Sequence, residues 1–249
     1  MVEHILLICI DDTDSLDSPG TGQVLEELLA RLAEEKLGLG SFITRHQLLI
    51  HPDIPYTSHN SSMCSRVTTE DLAAMIAFCR NWLNGACAPG SDPGLCITEP
   101  TALPDREKLL AFGRAAKERV LTKEDAWALA RSAPEAIALS EHGGTGQGII
   151  GALAGCGLRL SGMDGRCRGK LQPLTPGECL TPPQLCALGG VDAVWDTAGN
   201  PLPHQAQLVF LRPCKPIFRK NLRVAVARPR ADGRWDLLSK QELPEELLV

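Results

Sequence analysis

The sequence predicts an α+β (or α/β) protein. Three observations carry this prediction. A short apolar run near the N-terminus ends in carboxylates, amphipathic helical segments alternate with short apolar runs, and glycine and proline punctuate the joints. Residues 4–10 read as a buried first strand. Pro19, Gly20 and Gly22 then make a turn. Val24, Leu25, Leu28, Leu29 and Leu32 recur at helical spacing, with Glu26, Glu27, Arg31, Glu34 and Glu35 opposite them. This spacing predicts a helix over 22–36, ended by Gly38 and Gly40. Residues 41–50 alternate as a strand, 51–55 form a proline-punctuated bend, and 56–62 are polar and rich in hydroxyls. A short strand over 64–67 and a helix over 71–84 follow. Residues 85–94, dense in Gly and Pro, read as a linker and predict two domains, 1–90 and 91–249. Beyond it come a strand over 95–98, helices over 105–120 and 123–131, a glycine-rich loop over 143–148 and an apolar helix over 149–156. From residue 158 the pattern weakens, with strands at 208–211 and 222–227 and a hairpin turn at Asp232-Gly233.

Composition narrows the classes. With 249 residues, 44% hydrophobic and 22% charged, the chain is an ordinary globular one, and with 4% aromatics its core must be aliphatic. A net charge of −5 excludes a general polyanion-binding surface. The best local basic patch is Arg212, Lys215, Arg219, Lys220, Arg223, Arg228 and Arg230, which reads better as a solvated strand face. Ten cysteines occur without a C-x-x-C pair, so reduced, mostly buried thiols in a cytoplasmic protein are expected. The apolar run over 5–10 is too short for a signal peptide or a membrane span.

The candidate chemistry begins where that run stops, at Asp11, Asp12 and Asp14. If the pleat persists, Asp12 and Asp14 lie on one side, roughly 6–7 Å apart. Their repulsion is then about 2.5 kcal/mol at an effective dielectric near 20. A magnesium ion would offset it, being partial to carboxylate, water and phosphate oxygens. The same turn also reads as a helix cap made by Asp14 or Ser15. The helix start at 18–22 offers backbone N–H groups to a phosphate, with Thr21 in reach as a contact or simply as the N-cap. A second candidate is the segment 141–151, where Gly144, Gly146 and Gly148 let the backbone approach a ligand ahead of an apolar helix. It lacks a Walker lysine, and a flexible turn fits it as well. His59 and Asn60, in the polar stretch, are the third.

These segments, in this order, resemble one family. Ile10-Asp11-Asp12-Thr13-Asp14-Ser15, Thr21 before a helix, the stretch from Asp53 to Asn60, Asp92-Pro93-Gly94, and Gly146-Gln147-Gly148-Ile149-Ile150-Gly151-Ala152-Leu153-Ala154 are similar to TiaS, the archaeal 2-agmatinylcytidine synthetase of isoleucine tRNA. The resemblance spans residues 4–160. It implies a kinase-like N-terminal domain followed by a ferredoxin-like domain, with ATP and Mg²⁺ as cofactors. It places the metal-and-ATP cluster on Asp11, Asp12 and Asp14, a phosphorylated threonine on Thr21, and nucleotide contacts on Ser15, Gly20, Gly22, His59, Asn60, Gly144, Gly146 and Gly148. The chain departs from the family at Gly20 and Gly22, where a Cys-Thr-Thr run is usual, and at Ser58, where a basic residue is usual. The family's OB-fold and zinc ribbon would not fit before Val249, so a stand-alone core is expected and tRNA is the less favoured partner.

The expected function is therefore ATP/Mg²⁺-dependent phosphotransfer or a ligase-like reaction on an unknown acceptor. Three alternatives stand beside it. They are a non-catalytic nucleotide- or small-molecule-binding module, a tRNA-modifying enzyme working with partner chains, and a phosphatase of the haloacid dehalogenase type, suggested by Asp12-Thr13-Asp14 after an apolar strand.

Overall fold

The computed structural model describes residues 3–54, 59–173 and 175–247. Residues 55–58 of the polar stretch lie outside this description. The chain divides into two compact units, residues 1–161 and 162–249. Its class is α+β.

The first unit runs β1 (His4–Asp11), α1 (Thr21–Glu34), β2 (Leu39–Gln47), β3 (Ser61–Thr69), α2 (Leu72–Ala86), β4 (Gly94–Thr98), α3 (Arg106–Glu118), α4 (Lys123–Ser132), β5 (Ile137–Glu141) and α5 (Gly148–Ser161). Its strands lie in the order β5-β4-β1-β3-β2, and each pairing is antiparallel. Central β1 separates two cores, because successive side chains of a strand point to opposite faces. Leu6, Ile8 and Ile10 join Leu25 and Leu28 of α1 and Met75 of α2. Leu7 and Cys9 join Ile149, Ala152 and Leu153 of α5 and Leu109 of α3. Helix starts follow local chemistry. Asp71 accepts the Ala74 N–H at 2.9 Å to open α2, and Thr122 and Asp125 form a capping box for α4.

Two differences from the sequence expectation concern the site. Helix α5 continues to Ser161 rather than ending near 156, because its C-terminal half packs on α3. A Cβ on Gly157 would come within 2.2 Å of the Leu109 carbonyl oxygen. The segment 85–94, expected to join two domains, lies inside the first unit and leads from α2 to β4. Its backbone is tied to the acidic turn, with Ala88 N–H donating to Thr13 O at 3.0 Å and Asp92 N–H to Asp12 O at 3.1 Å.

The second unit contains β6 (Arg166–Cys167), β7 (Glu178–Leu180), α6 (Pro182–Ala187), β8 (Ala193–Asp196), β9 (Leu208–Phe210), β10 (Ile217–Arg219), β11 (Leu222–Pro229) and β12 (Trp235–Leu237). Strand β11 pairs antiparallel with β10 and β12 and parallel with β8. The basic residues here are largely neutralised. Arg223 pairs with Asp192 at 2.7 Å, Arg228 with Glu242 at 3.1 Å and Arg230 with Asp236 at 2.6 Å. All ten cysteines are unbridged and most are buried. Among the described residues, no helix is long and apolar enough to cross a membrane.

Candidate functional site

Strand β1 delivers Asp11 on the face covered by α5, with the carboxylate against the first turn of that helix. A Cβ on Gly151 would lie 1.6 Å from Asp11 Oδ2, so only glycine leaves room for the acid here. The next residue, Asp12, has φ +52°, a left-handed conformation that Asp tolerates better than most residues. The pleat therefore stops at Asp12, and the spacing it implied for Asp12 and Asp14 does not apply. The turn instead brings Asp11, Asp12 and Asp14 to the wall of one cleft, together with Thr21, Asp53, His59, Asn60, Gly148 and Arg119. This cleft encloses about 830 Å³, open solvent included.

The helix start differs from the capping reading. Gly20 is the N-cap of α1, and neither Asp14 nor Ser15 caps it. Thr21 is the first helical residue, and its hydroxyl donates to Asp14 Oδ1 at 2.6 Å. Ser15 belongs to a small turn, its N–H donating to Ser18 Oγ at 2.8 Å. Gly22 is buried in the first turn of α1. Ser15, Gly20 and Gly22 are not among the residues lining the cleft.

The glycine-rich loop holds an anion of its own. The Asp92 carboxylate accepts the N–H groups of Gly146 and Gln147 and the Thr145 hydroxyl, the Gln147 contact measuring 3.1 Å. Left-handed φ angles at Gly144 (+56°) and Gly146 (+77°) shape the loop around it. Donors that could have met a phosphate at Gly146 are thus taken by Asp92. Gly148 alone of the three glycines lines the cleft. Asn60 lines it as well but works on the backbone, donating to Leu49 O at 2.6 Å and so pinning the end of β2. His59 is exposed at the rim.

Electrostatics mark this place out. Burial, then the charge of Asp12, pushes Asp11 up to about 8. Burial, then Asp92 and Asp14, pushes Asp12 up to about 6. Crowded oxygen donors whose ionised forms are disfavoured fit a hard divalent cation, whose charge would offset the cost of ionising them. Thr13 Oγ1, between them in sequence, is buried without a hydrogen-bond partner among the described residues.

Sequence reasoning passed over Arg119, the only Arg or Lys among the described residues lining the cleft. It follows directly after α3 and joins the cleft lining only through the tertiary fold, so no spacing signals it. The anchoring role of Asp92 was equally hidden, since a carboxylate that fills a loop looks no different in sequence from one that caps a turn.

No protein-family model matches the chain, and no curated protein sequence matches it. Solved structures do. Against TiaS in its complex with an isoleucine tRNA and ATP, the TM-score is 0.54 at 24% identity, over 62% of this chain and 36% of that one. Against apo TiaS, described as a tRNA agmatidine synthetase, it is 0.51 at 25% identity, over 61% and 35%. The chain has a TiaS-like fold. A structure described as a tRNA fluorescent labeling enzyme matches similarly, with a TM-score of 0.52 at 25% identity over 61% of this chain and 36% of that one. The chain thus spans only 35–36% of the length of these TiaS-like structures.

Proposed function

We propose that this chain is an ATP- and Mg²⁺-dependent enzyme of phosphotransfer or ligase-like type, acting on an acceptor still to be identified. The observation that carries the reading is the cleft in which Asp11, Asp12 and Asp14 crowd together beside the Thr21 hydroxyl, with Arg119 in the same lining. The carboxylates would hold Mg²⁺, which when bound supplies charge neutralisation on phosphate oxygens. Arg119 would meet the remaining phosphate charge. Thr21 either contacts phosphate or accepts a phosphoryl group, in which case its proton passes to Asp14, the acceptor of its hydrogen bond. The TiaS structures lend support through their nucleotides, one holding ATP and another AMPCPP with agmatine. We assign the kinase-like part to the N-terminal segment bearing these residues, and treat the ferredoxin-like assignment beyond residue 90 as resting on the family resemblance. Unbridged cysteines suit a cytoplasmic setting.

Isothermal titration of ATP with Mg²⁺ tests the site. Saturable binding to the wild type and at least a tenfold loss in Asp12→Asn are expected. Equal binding by both proteins, or by neither, counts against it. Product analysis with ATP then separates the classes. ADP release marks phosphotransfer, AMP with pyrophosphate marks a ligase-like reaction, and binding without turnover marks a non-catalytic module.

A further inference from the structure

The sheet face that carries Asp11 also carries sulfur. Cys9 of β1 lies opposite Cys64 of β3 on one side and Cys96 of β4 on the other, so three cysteines form a row across three strands. Cys156 of α5 packs onto that row, its Sγ 3.7 Å from the Cys96 carbonyl oxygen and 3.9 Å from that of Leu7. The sulfurs of Cys9, Cys64 and Cys156 lie within 4.8 Å of one another, and all three residues are fully buried. Ser62 Oγ, buried beside them, has no hydrogen-bond partner among the described residues. It belongs to the same cluster, because a Cβ on Gly155 would come within 2.3 Å of Cys9 Sγ and 2.4 Å of Ser62 Oγ. His46, fully buried, and Arg159 lie close enough to act on Cys64 electrostatically.

We infer that Cys9, Cys64 and Cys156 form a binding site for one thiophilic d¹⁰ cation, zinc(II) or copper(I), distinct from the carboxylate cleft. Metal–sulfur bonds of about 2.3 Å place ligand sulfurs about 4 Å apart, so the three thiols need to move by less than about 1 Å. An all-sulfur donor set selects soft ions and rejects Mg²⁺, whereas the oxygen set two residues further along β1 does the reverse. Binding replaces each ligating S–H bond by a metal–sulfur bond and releases its proton, up to three for one ion. Three thiolates and one Zn²⁺ leave a single negative charge, which the nearby Arg159 offsets. The Ser62 hydroxyl, otherwise without a partner, can donate to a thiolate. Such hydrogen bonds fix ligand orientation and basicity. As neutral thiols the same groups would be only small apolar fillers, and the unpartnered hydroxyl among them would have no use.

Elemental analysis of the full chain, purified without chelator under reducing conditions, tests the site. The wild type and Asp12→Asn should each carry close to one equivalent of zinc or copper per chain, and the same analysis tells the two ions apart. Cys64→Ser should carry less than a tenth of that. A metal content that is unchanged in Cys64→Ser, or lost in Asp12→Asn, would overturn the inference. Because Cys64→Ser alters a fully buried position and can fail to fold, a second measurement uses the wild type alone. After metal removal it should take up Co²⁺ with a thiolate-to-cobalt absorption band that Zn²⁺ abolishes, or take up Cu⁺ in competition with a chromogenic chelator. Wild-type protein that holds no metal as purified and binds neither Co²⁺ nor Cu⁺ through sulfur overturns it equally.

Discussion

Strand β1 has two faces of opposite character. Toward α1 and α2 it presents Leu6, Ile8 and Ile10, each without exposed surface, against leucines and a methionine. Toward α5 it presents Leu7, Cys9 and Asp11, and the helix meets them through Gly148, Gly151 and Gly155. The first face gains stability from large side chains, each contributing about 1.5–3 kcal/mol on burial. The second gives up that volume so that a helix backbone can press against a carboxylate and a thiol. One strand thus packs large apolar side chains on one side and buries polar groups on the other.

Two substitutions probe this division. Ile8→Ala removes a fully buried side chain from the apolar face and should lower stability by about 2–5 kcal/mol in urea unfolding. Nucleotide affinity of the folded protein should not change, and a loss below about 1 kcal/mol would show that this face is not where stability resides. Gly151→Ala adds one methyl group on the other face, 1.6 Å from Asp11 Oδ2. Displacing the carboxylate should cost about 1–3 kcal/mol, set against about 1 kcal/mol of gained helix propensity. Its signature is a joint loss of stability and of Mg²⁺-dependent ATP binding. A variant that binds ATP normally would separate Asp11 from the site.

The apolar face was the more legible of the two in sequence. The 3.6-residue spacing of Val24, Leu25, Leu28 and Leu32 announces α1, and the apolar run before Asp11 announces β1. The acidic turn was legible too, because an apolar run ending in three carboxylates is hard to explain by packing. What was missed depends on tertiary contact. The Gly- and Pro-rich segment 85–94 looks like a linker, but its amides bond to carbonyls of the acidic turn. Strand β5 is five residues long and most strands of the second unit are two to four, too short for a period to register. Arg119 reaches the cleft from the end of α3, and the cysteine row becomes a cluster only when β1, β3 and β4 are paired.

The last expected effect concerns protons. Asp11 and Asp12 titrate near 8 and 6, both above the ordinary 3.8, so the fold keeps protons that the unfolded chain has already released. The stability these groups contribute is complete below the unfolded value and is lost as pH rises through the folded ones. Without a cation, the melting temperature should therefore fall between about pH 5.5 and about pH 8, by on the order of ten degrees. On the proposed function Mg²⁺ would bind the ionised pair, so it would have to displace those protons at low pH and not at high pH. The rise in melting temperature on adding Mg²⁺ should accordingly be larger at about pH 8 than at about pH 5.5. Asp11→Asn should flatten both dependences, while Ile8→Ala should lower the whole curve and leave its slope alone. A Mg²⁺ effect of equal size at both pH values would place the cation away from these carboxylates, and with it the chemistry assigned to this face of β1.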